Sequence, residues 1–63
     1  MIRTILATKM ENSRLRNAEG RFLSIIPEDF YPIGMKGYWM LKKVGTKWKV
    51  LRAVYLNSGV NDV

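Results

Sequence analysis

The sequence predicts an all-β fold, mainly antiparallel with one short helical turn, built as a small bent sheet or partly open barrel of about five strands. Three observations carry this prediction. Apolar and polar residues alternate along Ile2–Met10 and again along Lys36–Leu56. Turn-forming runs, Asn17-Ala18-Glu19-Gly20 and Gly45-Thr46, fall between apolar segments of strand length. The longest of these segments is rich in β-branched and aromatic residues, which suit a pleated, half-buried surface better than a helix.

The first strand is Ile2–Met10, where Ile2, Thr4, Leu6, Thr8 and Met10 alternate with Arg3, Ile5, Ala7 and Lys9. One end of it is expected to be well buried. Glu11-Asn12-Ser13 interrupts the pattern. Asn17-Ala18-Glu19-Gly20 has the chemistry of a type I turn closed by a left-handed glycine, with the asparagine side chain bonding its own turn backbone. Ser13–Arg16 and Arg21–Ile26 then form a hairpin with Arg14, Arg16 and Arg21 grouped at its tip. A helical turn capped by Asn12 is the competing reading. The apolar run Arg21–Ile26 is expected to be a central strand.

Pro27-Glu28-Asp29-Phe30-Tyr31 places a proline and two acids at the front of a helical or 3₁₀ turn, which Pro32-Ile33-Gly34 breaks. Phe30 and Tyr31 are expected to plug an open edge of the core. Lys36–Leu56 reads as the last hairpin, turning at Gly45-Thr46 with the glycine at the positive-φ position of a type II′ turn. Pairing outward sets Lys43 opposite Trp48, Leu41 opposite Val50 and Trp39 opposite Arg52. One face then carries Trp39, Leu41, Trp48, Val50, Val54 and Leu56, interrupted by Lys43 and Arg52. The other, wet face carries Tyr38, Met40, Lys42, Lys47, Lys49, Leu51, Ala53 and Tyr55. Residues 1–56 are read as one β domain and 57–63 as a flexible tail.

Composition narrows the chemistry. With neither cysteine nor histidine, disulfides, thiolate metal sites and the usual neutral-pH proton shuttle are excluded. No cofactor or metal site is expected. Glu28 and Asp29 are adjacent, so on a strand or a helical turn they diverge and make no paired acid and base. Ser13, Ser24 and Ser58 have no histidine to activate them. Catalysis is therefore not expected. No apolar run approaches the ~20 residues of a membrane span, and the first ten residues are too polar for a secretory signal. A cytoplasmic protein without membrane contact is expected.

The net charge is +6, and it is uneven. Residues 1–29 hold five positive and four negative groups, whereas residues 30–63 hold six positive groups and one acid, Asp62. Such asymmetry calls for an anionic partner. Nucleic-acid binding needs cations for phosphates and flat rings for unpaired bases, and Tyr38 and Tyr55 interleaved with Lys42, Lys47 and Lys49 would supply both. Arg14, Arg16 and Arg21 are the second basic group. A small basic module binding DNA or RNA is the expected function. The alternative is a protein-interaction module that occludes an acidic surface of a larger partner, as a small phage-encoded inhibitor or accessory protein would. In that case Met35, Met40, Tyr31 and Tyr55 form an adaptable contact patch, and a homodimer would hide the same residues. Trp39 and Trp48 are assigned to the core.

Overall fold

The computed structural model describes residues 1–56; the tail expected at 57–63 lies outside them. Five strands form one antiparallel sheet: β1 (Ile2–Met10), β2 (Arg14–Asn17), β3 (Phe22–Ser24), β4 (Lys36–Val44) and β5 (Lys47–Tyr55). Their spatial order is β3-β2-β1-β4-β5. The predicted all-β class is therefore the observed one. The sheet curls until the end of β3 reaches β5, where Ile25 and Trp48 form a single parallel bridge. The Ile26 N–H donates to the Trp48 carbonyl at 2.9 Å. One bridge does not close the sheet into a barrel, but it makes one face concave and the other convex.

The core fills the concave side. Ala7, Leu15, Ile25, Trp39, Leu41 and Trp48 are buried, with Ile5, Leu23, Tyr31, Met35, Val50 and Ala53 packed against them. Trp39 is fully enclosed, and its indole N–H donates to the Ala7 carbonyl at 2.9 Å. A buried indole needs such a partner, because an unpaired N–H there would cost about 1–3 kcal/mol. One end of β1 is well buried as expected, and it is the C-terminal end.

Two turns have the anticipated chemistry. The Asn17 carboxamide oxygen accepts the N–H groups of Glu19 (3.0 Å) and Arg21 (2.9 Å), and Gly20 sits at φ 87°. Gly45 is at φ 65° while Thr46 is not in the left-handed region, which matches a type II′ turn. In the Glu11–Ser13 connection Asn12 and Ser13 both take positive φ, so the chain reverses into β2 and the helical alternative is not realised.

Four expectations are corrected. Arg21–Ile26 is not a central strand: only Phe22–Ser24 pairs with β2, at the edge of the sheet, and β1 is the central strand. The expected helical turn at Pro27–Tyr31 is absent. The Glu28 carboxylate instead accepts the N–H groups of Phe30 (2.7 Å) and Tyr31 (3.3 Å), satisfying donors that a helix would otherwise orient. Tyr31 does plug the core, edge-on to Trp39 at 5.0 Å between centroids, but Phe30 is 81% exposed.

The fourth correction concerns register. Leu41 faces Val50 and Lys43 faces Trp48 as expected, but Trp39 faces Ala53 and Met40 faces Arg52. Leu51 is the extra residue of a β-bulge. Its cause is legible in the packing: regular alternation would turn Arg52 onto the core opposite the enclosed Trp39. One inserted residue rotates Arg52 outward and offers the small Ala53 instead. Val54 and Leu56, expected in the core, are accordingly exposed. Next to the bulge β5 closes tightly on β4 at Gly37, where a Cβ would meet the Val54 carbonyl oxygen and lie 2.9 Å from its carbon.

Candidate nucleic-acid interface

Paired residues in an antiparallel ladder share a face, and neighbours along a strand alternate. The observed registers therefore define the convex face row by row. Phe22, Arg16, Thr8 and Lys36 make one row across four strands. Leu6, Tyr38 and Val54 make the next, then Thr4, Met40 and Arg52, then Ile2, Lys42 and Lys49. Met10, Arg14 and Ser24 complete one end, and Val44 and Lys47 the other.

Seven cations thus occupy the convex face: Arg14, Arg16, Lys36, Lys42, Lys47, Lys49 and Arg52. No acid stands at any strand position of this face, because Glu11, Glu19, Glu28 and Asp29 all lie in connections. The central strand contributes only Ile2, Thr4, Leu6, Thr8 and Met10 here. An uncharged strip therefore runs between cations on β2 and cations on β4 and β5. Among the described residues nothing packs over it; Tyr38 is 48% and Phe22 50% exposed.

The face is partly preorganised. The Arg14 guanidinium lies 4.5 Å over the Phe22 ring, and its Nε donates to the Glu11 carbonyl at 3.1 Å. Guanidinium and ring are thereby held as one flat unit. On the concave side, Arg3 and Lys43 flank Trp48 at 5.7 and 4.9 Å from its ring centroid. These two cations serve packing at the sheet's open end rather than the convex face.

Of the sequence-derived site residues, Tyr38, Lys42, Lys47, Lys49, Arg14 and Arg16 are brought onto one face. Tyr55 and Arg21 are not. Tyr55 pairs with Gly37 and therefore faces the concave side, where it borders a cleft with Pro32, Ile33, Gly34 and Met35. Arg21 lies in the turn before β3 and borders a cleft with Arg3 and Leu23. Leu51 and Ala53 also leave the wet face, Leu51 lining a groove with Phe30 and Tyr31. The expected patch of Met35, Met40, Tyr31 and Tyr55 is split between the two faces. Only Met40 belongs to the convex one.

Three members were missed by sequence reasoning. Arg52 reaches the face through the bulge; its signal was the apolar pair Val50-Leu51 followed by a charge in core phase. Lys36 and Phe22 join through the pairing of β1 with β4 and of β2 with β3, which no local pattern encodes. Among the described residues no group of acids, histidines or cysteines could hold a metal, and no helix is long and apolar enough to cross a membrane. Comparison with protein-family models, curated proteins and solved structures finds no match to this chain.

Proposed function

We propose that this protein is a non-catalytic nucleic-acid-binding module whose interface is the convex face of the sheet. The observation that carries the reading is the segregation of charge: seven cations and two exposed aromatic rings on one uncovered face, with no acid among its strand positions. Lysine on an edge strand commonly blunts aggregation. That role accounts for Lys47 and Lys49 on β5 but not for Arg14, Arg16, Lys36 and Lys42, which sit on interior strands. Cations gathered on both sides of an uncharged strip suit a polyanion that crosses the sheet.

An acidic protein surface is the second reading. It is favoured by the exposed apolar residues of the same face, Ile2, Val44 and Val54. Its lysines would then steer association and its apolar residues supply buried area.

The test is fluorescence anisotropy with labelled oligonucleotides over a range of salt. Wild type should bind, and replacing Lys42, Lys47 and Lys49 together with glutamine should flatten the salt slope by about two to three. A slope unchanged in a folded triple variant would move the phosphate contacts off this end of the face. No binding by wild type would leave the protein-partner reading.

A further inference from the structure

The shape and chemistry of the convex face select one kind of nucleic acid. We infer that it binds single strands, with Tyr38 and Phe22 as stacking platforms for unpaired bases. This inference rests on the nucleic-acid reading and narrows it.

Curvature gives the first argument. Because β3 curls round to touch β5 at Ile25 and Trp48, the basic face bulges outward. A duplex is itself a convex rod, so two convex bodies would meet over only a few phosphates. A single strand is flexible and can drape across the face. From Arg16 to Lys49, three strands and six residues apart, the cations span on the order of 25 Å. That length belongs at the short end of the ~4–16 nucleotides bound by small sheet modules.

The support along the β4–β5 hairpin removes the main duplex alternative. A two-stranded ribbon can read DNA by entering the major groove, about 8.5 Å deep. Here the β4–β5 hairpin is not free to do so. β1 pairs along β4 as far as Lys42, and the Lys43 N–H donates to the Met1 carbonyl at 3.1 Å. Only Val44–Lys47 projects beyond that support, too little to reach the groove floor.

The aromatic rings supply a third argument. Bases stacked in a duplex hide their flat faces, so rings exposed on an open sheet face suit unpaired bases best. Tyr38 stands between Leu6 and Val54 in its row, with Lys36 two residues along its strand. Phe22 has Arg14 on one side of its ring and Arg16 beside it in the row. Each ring thus has cations at hand for the phosphates that flank a stacked base. Phosphates and base faces are common to DNA and RNA, so the inference covers both sugars.

The experiment is anisotropy with a labelled 12-mer, single-stranded and as a duplex, in DNA and in RNA. The single strand should bind at least about tenfold tighter than the duplex in one sugar or both. Tyr38→Leu and Phe22→Leu should each weaken single-strand binding about fivefold or more, and Tyr38→Phe should restore it. Duplex binding should not change. Tyr55→Leu, an equally exposed tyrosine on the opposite face, should bind like wild type. All variants are first checked for an unchanged circular dichroism spectrum. Duplex binding as tight as single-strand binding in both sugars would overturn the inference while leaving nucleic-acid binding intact. So would single-strand affinity that is indifferent to both leucine variants. Binding to none of the four probes would remove the inference together with the reading beneath it.

Discussion

Tyr38 and Tyr55 lie on opposite faces of the β4–β5 ribbon, although unbulged pairing outward from the two-residue turn would set Tyr38 opposite Ala53 and place both tyrosines on one face. The cause is Leu51. Tyr38 pairs with Val54, and Tyr55 with Gly37, because the bulge advances β5 by one residue beyond Val50. Charge placement follows from the same residue, since Arg52 comes outward with Val54.

Deleting Leu51 should therefore preserve the two faces rather than invert them. With Leu51 removed, Arg52 follows Val50 directly, so Met40 still faces Arg52 and Trp39 still faces Ala53, now in a regular ladder. The deletion variant should keep a cooperative thermal transition, whereas deleting Val50 as well would set Arg52 opposite the buried Leu41 and should abolish it. A Leu51 deletion that no longer melts cooperatively would mean the bulge itself, and not the register it produces, supports the fold.

Gly37 should tolerate no side chain. Its Cβ would run into the Val54 backbone, which cannot move without opening β5 from β4. Gly37→Ala should lower the melting temperature sharply, and amide exchange should speed up first along Arg52–Tyr55. Gly34→Ala probes strain alone: its φ of 95° is unfavourable for alanine, but no neighbour lies near. Its loss should be the smaller of the two.

The two tryptophans should fail for different reasons. Trp48→Ala empties the core where the sheet curls together and should cost about 3–5 kcal/mol, a large part of the total for so small a domain. Trp39→Phe keeps most of the volume but leaves the Ala7 carbonyl without its indole donor, at about 1–3 kcal/mol. Chemical denaturation should rank them in that order. A Trp48→Ala variant with an unchanged midpoint would mean that the β3–β5 contact does not support the fold.

Lys9 is 7% exposed, and among the described residues its Nζ has one long hydrogen bond, 3.5 Å to the Met10 carbonyl. A burial so poorly compensated costs stability. Lys9→Met keeps the length and removes the charge, so it should raise the melting temperature. A fall would show that the ammonium holds a stabilising partner.

Much of the architecture was legible because its signals are local. Asn17, Gly20 and Gly45 each meet a conformational demand that few other residues satisfy, so both hairpins could be placed from single positions. Trp39 and Trp48 were assigned to the core from their phase with Leu41 and Val50. Strand order was not legible: Arg21–Ile26 is as apolar as a central strand, yet only three of its residues pair with β2, at the edge of the sheet. The helical turn failed because Glu28 satisfies backbone donors equally well in an irregular chain. Half of the candidate face was visible as the lysines of one hairpin. The other half depends on β1 lying between β2 and β4, which brings Arg14 and Arg16 alongside Lys36 and Tyr38 by pairings between distant segments.

The central proposal is that cations placed on the convex face, and not net charge, are what a nucleic acid would bind. Two triple variants of equal charge test it: Lys42, Lys47 and Lys49 to glutamine on the face, and Arg3, Arg21 and Lys43 to glutamine off it. Affinity for a single-stranded 12-mer is measured against salt for both, on samples with matching circular dichroism. The on-face variant should lose about two to three units of salt slope and most of its affinity, while the off-face variant keeps nearly all of both. Equal losses in the two variants would contradict the account, because they would make binding a property of total charge alone.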